Sequence, residues 1–315
     1  MKSIAGIDVS KGSFDVFFAG RSKSFENDDA GHREAAKFCK GAELIVMEAT
    51  GSYHLAPACF LHAKGFKVAV VNPARPSYYA KSLGLRSKTD RVDARMLALF
   101  GAAHEPPLFV PPTENEFRLC RLVRLRSDLA AQRAQGRARR HDPAMTEFER
   151  AMWDSQEAFL TEQIRQVERE IRGVIASEER FKEAFDHLTS IPGIGAVTAW
   201  TILAELRDVK LFASAKKAAA YAGVCPSVRH SGTSLSGPGR LSRQGCAQLR
   251  KALYMAAVAA IRIPSPFQAF YLRLLEKGKA RKSALAAVMH KLIRVAYGVL
   301  KEGAPFNPER DLTIQ

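Results

Sequence analysis

Leu85-Arg-Ser-Lys-Thr-Asp90-Arg-Val-Asp93-Ala94 runs into Met96, Leu97, Leu99 and Phe100, apolar positions with the spacing of a helix. Residues three apart on a helix share a face, so Asp90 and Asp93 would project side by side. Like charges that close repel unless a cation, or a phosphate carried by one, lies between them. Taken alone, the stretch leaves two readings open. The pair belongs to a metal site, or it caps a helix whose dipole it complements beside solvated Arg and Lys.

The segments upstream bear on that choice. Ile4-Ala-Gly-Ile-Asp8-Val9 reads as a strand whose apolar run breaks at an acid, and Lys11-Gly12 turns into a second strand at Phe14–Phe18. A helix is expected around Gly31–Lys40. Leu44-Ile-Val-Met47 is a short apolar run of the kind found in buried parallel strands, and it ends at Glu48. Leu55–Lys64 reads as a helix and Lys67–Val71 as another buried strand, stopped by Asn72-Pro73. In open α/β sheets, sites gather at the carboxyl ends of strands. Asp8, Glu48, Asp90 and Asp93, brought to one crevice from three elements, would form an oxygen-rich cage for Mg²⁺ or Mn²⁺. Each acid alone has a plain alternative as a turn or capping residue. Together, in this order, they favour an α/β core of the ribonuclease-H type.

Charge points to the partner. The chain of 315 residues carries 48 Lys+Arg against 32 Asp+Glu, a formal net charge of +16, which favours a polyanion such as nucleic acid. Five scattered cysteines without C-x-x-C spacing argue against a disulfide framework or a zinc site and fit a reducing cytosol. The first residues lack an apolar core long enough for a signal peptide, and no apolar stretch reaches a bilayer span. The expected location is the cytoplasm.

Pro106-Pro107 and Pro111-Pro112 mark a boundary, giving an N-terminal α/β domain over 1–110. Residues 111–185 carry helical periodicity without strand signals, with a break between Gly136 and Pro143, and read as an antiparallel helix pair of coiled-coil type. Within 118–140 there are eight Arg against one Asp, either a solvated face or a clamp on a nucleic-acid backbone.

Residues 186–315 hold nineteen Lys/Arg and seven Asp/Glu, hence +12 of the +16. Pro192-Gly193-Ile-Gly195 between apolar helices is similar to a helix-hairpin-helix turn, whose glycines let backbone N–H groups approach a phosphate. A simple helix end followed by a helix start fits the same residues. Beyond Gly223-Val-Cys-Pro226 lies a segment rich in hydroxyls, glycines and cations, from Ser227 through Arg229, Ser231, Ser234, Ser236 and Arg240 to Arg243. It reads as a flexible surface loop, or as a place where Arg and backbone N–H groups bind a phosphate beside a nucleophilic serine. Arg250 and Lys251 on the next helix add to the candidate nucleic-acid contacts.

Gly6-Ile-Asp8-Val-Ser-Lys11, Met47-Glu48-Ala-Thr-Gly51-Ser-Tyr53, Lys88-Thr-Asp90-x-x-Asp93-Ala94, Tyr221-Ala-Gly223-Val-x-Pro226, Ser231-Gly232 and Leu249-Arg250-Lys251-Ala252-Leu253 occur in one order along the chain. In these motifs the sequence resembles the DEDD transposases of bacterial insertion sequences, relatives of the pilin-gene invertases. The resemblance implies an N-terminal RuvC-like domain, a coiled-coil linker and a mostly helical C-terminal transposase domain (186–315). It implies that Asp8, Glu48, Asp90 and Asp93 form the acidic tetrad and that Ser231 is the nucleophile, with Ser234 and Ser236 close beside it. It also implies donor and target double-stranded DNA, a non-coding bridge RNA that chooses both by base pairing, and a homo-oligomer in which the active site is assembled between protomers. The competing reading is a RuvC-like nuclease that resolves branched DNA by hydrolysis, its C-terminal domain serving only as a clamp. A non-catalytic nucleic-acid-binding protein is the third.

Overall fold

The computed structural model describes residues 3–49, 51–84, 90–140, 142–227, 230–231, 235–236, 240–242 and 244–311; the side chains of 90–92 and 227–240 lie outside that description. The chain forms two compact units, Met1–Pro111 and Pro112–Gln315.

The first unit is built on a five-stranded mixed sheet. Strands β1 (Ile4–Val9), β2 (Ser13–Phe18) and β3 (Arg21–Glu26) form an antiparallel meander; β4 (Leu44–Glu48) and β5 (Val68–Val71) add in parallel on the other side, giving the order β3-β2-β1-β4-β5. Alternation sends each strand's residues to opposite faces. On one face Ala5, Ile7, Phe14, Val16, Ile45 and Met47 pack with Ala35 of α1 (Asp29–Phe38) and with Ala58 and Leu61 of α2 (Leu55–Ala63). On the other, Ile4, Val46, Ala69 and Val71 pack against Leu97, Ala98 and Phe100 of α4 (Asp90–His104). The central strands are therefore buried on both sides, which is why they read as continuous apolar runs.

Two elements escape the sequence pattern. Strand β3 buries only Phe25, so it shows no alternation. Helix α3 (Ala74–Ser82) follows directly on Pro73, and Asn72 Oδ1 accepts the Ala74 N–H at 2.9 Å to start it.

The second unit is helical. Helices α5 (Glu114–Arg139) and α6 (Glu147–Ser177) each begin with a capping box, Thr113 with Glu116 and Thr146 with Glu149. They run antiparallel, because Arg126 pairs with Glu168 (2.9 Å), Arg137 with Glu157 (2.6 Å) and Arg140 with Asp154 (2.8 Å) as α6 is followed backwards. With Arg118–Glu170 and Arg124–Glu205, five of the eight arginines are engaged in ion pairs. These pairs tie α5 to α6 and, through Arg124, to Glu205, while Arg118, Arg124 and Arg137 stay about half exposed. Beyond lie α7 (Glu179–Thr189), α8 (Ala196–Leu206), α9 (Ala215–Tyr221), α10 (Ala247–Ala260), α11 (Pro266–Glu276), α12 (Arg281–Glu302) and the short α13 (Pro308–Asp311), packed around Trp200, Leu253, Leu292 and Ile293. Among the described residues α12 alone is long and apolar enough to cross a membrane, but Val288, Leu292, Val295 and Val299 are buried in this core.

Candidate active site

The register of the sheet brings two of the acids together. Gly6 pairs with Val46 and Ile7 with Met47, so the next step along these parallel strands sets Asp8 level with Glu48. Neighbouring strands are about 4.8 Å apart. Alternation puts both acids on the face that α4 covers, one pair beyond Gly6 and Val46. The path of α4 is fixed by two glycines. A Cβ on Gly6 would lie 2.7 Å from Ala98 N and overlap the Ala94 carbonyl, and a Cβ on Gly101 would lie 2.5 Å from Val46 Cγ2. Followed from Gly101 back to Ala94, the helix therefore runs over Ile4 and Val46, then Gly6, toward the strand ends. Its first turn, with Asp93, is directed at the side of the sheet where Asp8 and Glu48 stand. Asp8, Glu48 and Asp93 are all half-buried. Asp90 is the first residue of α4, and its side chain lies outside the described residues.

The loops following the two acidic strands are tied to each other. Asn27 Nδ2 donates to Ser10 O (3.1 Å), after β1, and to Tyr53 O (3.4 Å), after β4. Its Oδ1 lies 2.9 Å from His32 Nε2. Because the amide nitrogen is already donating, Oδ1 accepts and His32 Nε2 carries the hydrogen. Burial lowers the His32 pKa despite the opposing pull of Asp29 and Asp28, which keeps the ring neutral and suited to that role.

A further acid joins the same face. Asp15 is the antiparallel partner of Asp8, and Ser24 Oγ on β3 donates to its carboxylate. Sequence reading missed both Asp15 and Asn27. The length of the β1–β2 turn would have located Asp15 opposite Asp8, whereas nothing local marks Asn27.

All these donors are carboxylate oxygens, the set that suits a hard divalent cation and not zinc. Cys39, in the same unit, is buried, with its thiol pushed up to about 12 by burial. Among the described residues no three acids, histidines or cysteines form a ready metal cluster.

The serine segment has paired backbone. Strand β6 (Pro226–Ser227) pairs with β9 (Arg240–Leu241), and β7 (His230–Ser231) with β8 (Leu235–Ser236). Ser231 is thus opposite Leu235 in a ribbon; its side chain and those of Ser234, Ser236 and Arg240 lie outside the described residues, as do Arg229 and Arg243. Gly193 has φ +89°, and a Cβ there would lie 2.5 Å from Ala260 Cβ and 2.6 Å from Ala256 O on α10. Its glycine is demanded by helix packing. Gly195 is the N-cap of α8, exposed, with open space around it. Arg250 is half-buried, with Nη1 3.5 Å from Ala222 O, and Lys251 is exposed.

Residues 5–147 match the DEDD transposase model, described as transposase, and residues 186–272 match the model of the IS116/IS110/IS902 transposase family. The pilin gene-inverting protein of Moraxella bovis is 33% identical over 97% of this chain and 98% of its own length. The chain belongs to the IS116/IS110/IS902 transposase family. The transposase for insertion sequence element IS1328 of Yersinia enterocolitica is 24% identical over 84% of the chain. An uncharacterized 43.6 kDa protein of insertion element IS110 from Streptomyces coelicolor is 34% identical over 37% of it. The matched transposase segment that begins at residue 5 contains Asp8, Glu48 and Asp93, and the segment over 186–272 contains Ser231. Members of this family cut DNA.

Proposed function

We propose that this transposase recombines a mobile element by serine-mediated strand transfer, with Asp8, Glu48, Asp90 and Asp93 holding Mg²⁺ or Mn²⁺ and Ser231 as nucleophile. The observation that carries the reading is the register that sets Asp8 level with Glu48 on the sheet face crossed by α4. Ions held there would neutralise the scissile phosphodiester and stabilise charge on its attacking and leaving oxygens. The Ser231 Oγ attacks phosphorus. An Oγ–P bond forms, a P–O bond of the DNA breaks, and the departing DNA oxygen takes up the proton that the serine loses. The phosphoserine bond retains the energy of the broken linkage, so a DNA hydroxyl from another strand reverses the step and rejoins the chain.

The excess of positive charge in 186–315 supports backbone gripping by Gly195, Arg229, Arg240, Arg243, Arg250 and Lys251, with Gly193 shaping the turn. Such contacts read no sequence, which fits delegation of target choice to a non-coding guide RNA. On this reading the chain has three parts: a RuvC-like domain over 1–110, a coiled-coil linker over 111–185, and a transposase domain over 186–315. It works as a homo-oligomer in the cytoplasm, where its DNA is.

The test is covalent trapping. The wild type, denatured during reaction with its element's ends, should yield a protein–DNA adduct that maps to Ser231, and Ser231→Ala should yield none. Cleavage without any adduct would favour hydrolysis by water. An adduct retained in Ser231→Ala would move the role to Ser234 or Ser236.

A further inference from the structure

Between Arg262 and Lys301 the chain carries nine Lys/Arg against one acid, Glu276. Surface charge of one sign is ordinary when it is spread out. Here it is gathered. Arg273 of α11 and Lys291 of α12 both approach the ring of Phe270, with Arg273 Cζ 5.5 Å and Lys291 Nζ 4.9 Å from its centroid. Arg294 follows Lys291 by three residues on the same helix face. Phe270 is itself packed on the helical core, so the platform beneath the two cations is fixed.

Two cations on one ring repel each other, and the ring returns only about 0.5–1 kcal/mol for each at an exposed site. Neither Arg273 nor Lys291 has a carboxylate partner among the described residues. Burial, then Arg273 and Arg294, hold the Lys291 ammonium below its ordinary value. Burial and Arg294 do the same to His290. A local field this positive is relieved by an anion. Arg273 is exposed and Lys291 half-exposed, so a phosphate can reach both.

We propose that Arg273 and Lys291, held on Phe270 with Arg294 beside them, form a phosphate-backbone site for duplex DNA outside the serine ribbon. DNA is favoured because it is the polymer on which this family acts. The proposal rests on the nucleic-acid reading above. The site is sequence-blind: it touches two phosphates and positions the duplex, with no base readout.

Full-length protein is titrated with a labelled duplex bearing the element's end, and with a random duplex of equal length, across a series of KCl concentrations. Removing one phosphate-binding cation should flatten the slope of log K against log salt by about 0.9. Arg273→Gln/Lys291→Gln should flatten it by about 1.8, equally for both duplexes, and Arg273→Lys/Lys291→Arg should restore it. Lys23→Gln, whose residue pairs with Glu34 in the first unit, is the control for removal of a charge as such. Arg273→Gln alone, at an exposed position, should flatten the slope by about 0.9 and decides the matter if Lys291→Gln disturbs folding. A wild-type slope in these variants overturns the site. Weakened binding of single-stranded RNA with duplex binding unchanged overturns it in favour of RNA. Absence of duplex binding by the wild type overturns both the site and the nucleic-acid reading on which it rests.

Discussion

Gly6 on β1 lies directly beneath Ala94 on α4, close enough that any side chain at residue 6 would overlap the Ala94 carbonyl and stand 2.7 Å from Ala98 N. The contact sets where α4 crosses the sheet, and so where Asp93 stands relative to Asp8 and Glu48. Backbone lies on both sides of this contact, so nothing flexible can yield. Gly6→Ala should destabilise the first unit by about 1–3 kcal/mol, the usual cost of overpacking. It should also remove DNA cleavage at temperatures where the fold persists. Chemical denaturation and a cleavage assay on the same preparation check both halves.

Gly193 makes the parallel case in the second unit. Its positive φ and its contact with Ala256 and Ala260 both exclude a side chain. Gly193→Ala should cost about 2 kcal/mol or more from strain and overpacking together. Gly195→Ala meets open space and should leave unfolding unchanged within about 0.5 kcal/mol. If Gly195 contacts DNA through its backbone, that variant alone weakens binding in a fluorescence titration while its denaturation curve overlays the wild type.

Glu116 gives a pH dependence with a definite sign. It is buried and accepts from Arg180 Nη1 (3.1 Å), Arg207 Nη2 (3.1 Å) and the Thr113 N–H (3.1 Å). Burial pushes its carboxyl up, but the Thr113 N–H and the two guanidinium groups outweigh burial and leave it below its ordinary value of 4.5. A depressed folded-state pKa contributes stability above the unfolded value. That contribution is therefore complete above about pH 4.5 and is lost as pH falls through the lower, folded value. Glu116→Ala should cost about 2–3 kcal/mol at pH 7, discounted because Arg180 is half exposed. Its penalty should shrink on acidification, which denaturant titrations at pH 7 and pH 3.5 would display.

How much of this was legible in the chain follows from what each residue's neighbours are. Asp8 and Glu48 stand out because an apolar run breaks at each, and Asp93 because a helical run begins there. Strand β3 has one buried side chain, Phe25, and carries no period to read. Asp15 joins the acidic face only through the β1–β2 register, a relation between strands that no window along the sequence contains. Gly193 shows a second limit: its motif suggests a phosphate-binding turn, while the packing against α10 that also requires glycine comes from residues more than sixty positions later. The ion pairs that the arginines of α5 make with α6 and with Glu205 are likewise relations between helices that their own stretch of sequence does not show.

The central claim is that Asp8, Glu48 and the first turn of α4 hold a divalent cation, and Mn²⁺ binding measured by electron paramagnetic resonance tests it without reference to activity. The wild type should take up Mn²⁺ and quench the free-ion signal, competed by Mg²⁺, while Asp8→Asn, Glu48→Gln and Asp93→Asn each lose at least tenfold in affinity, about 1.4 kcal/mol or more. Equal Mn²⁺ uptake by the wild type and all three variants would contradict it.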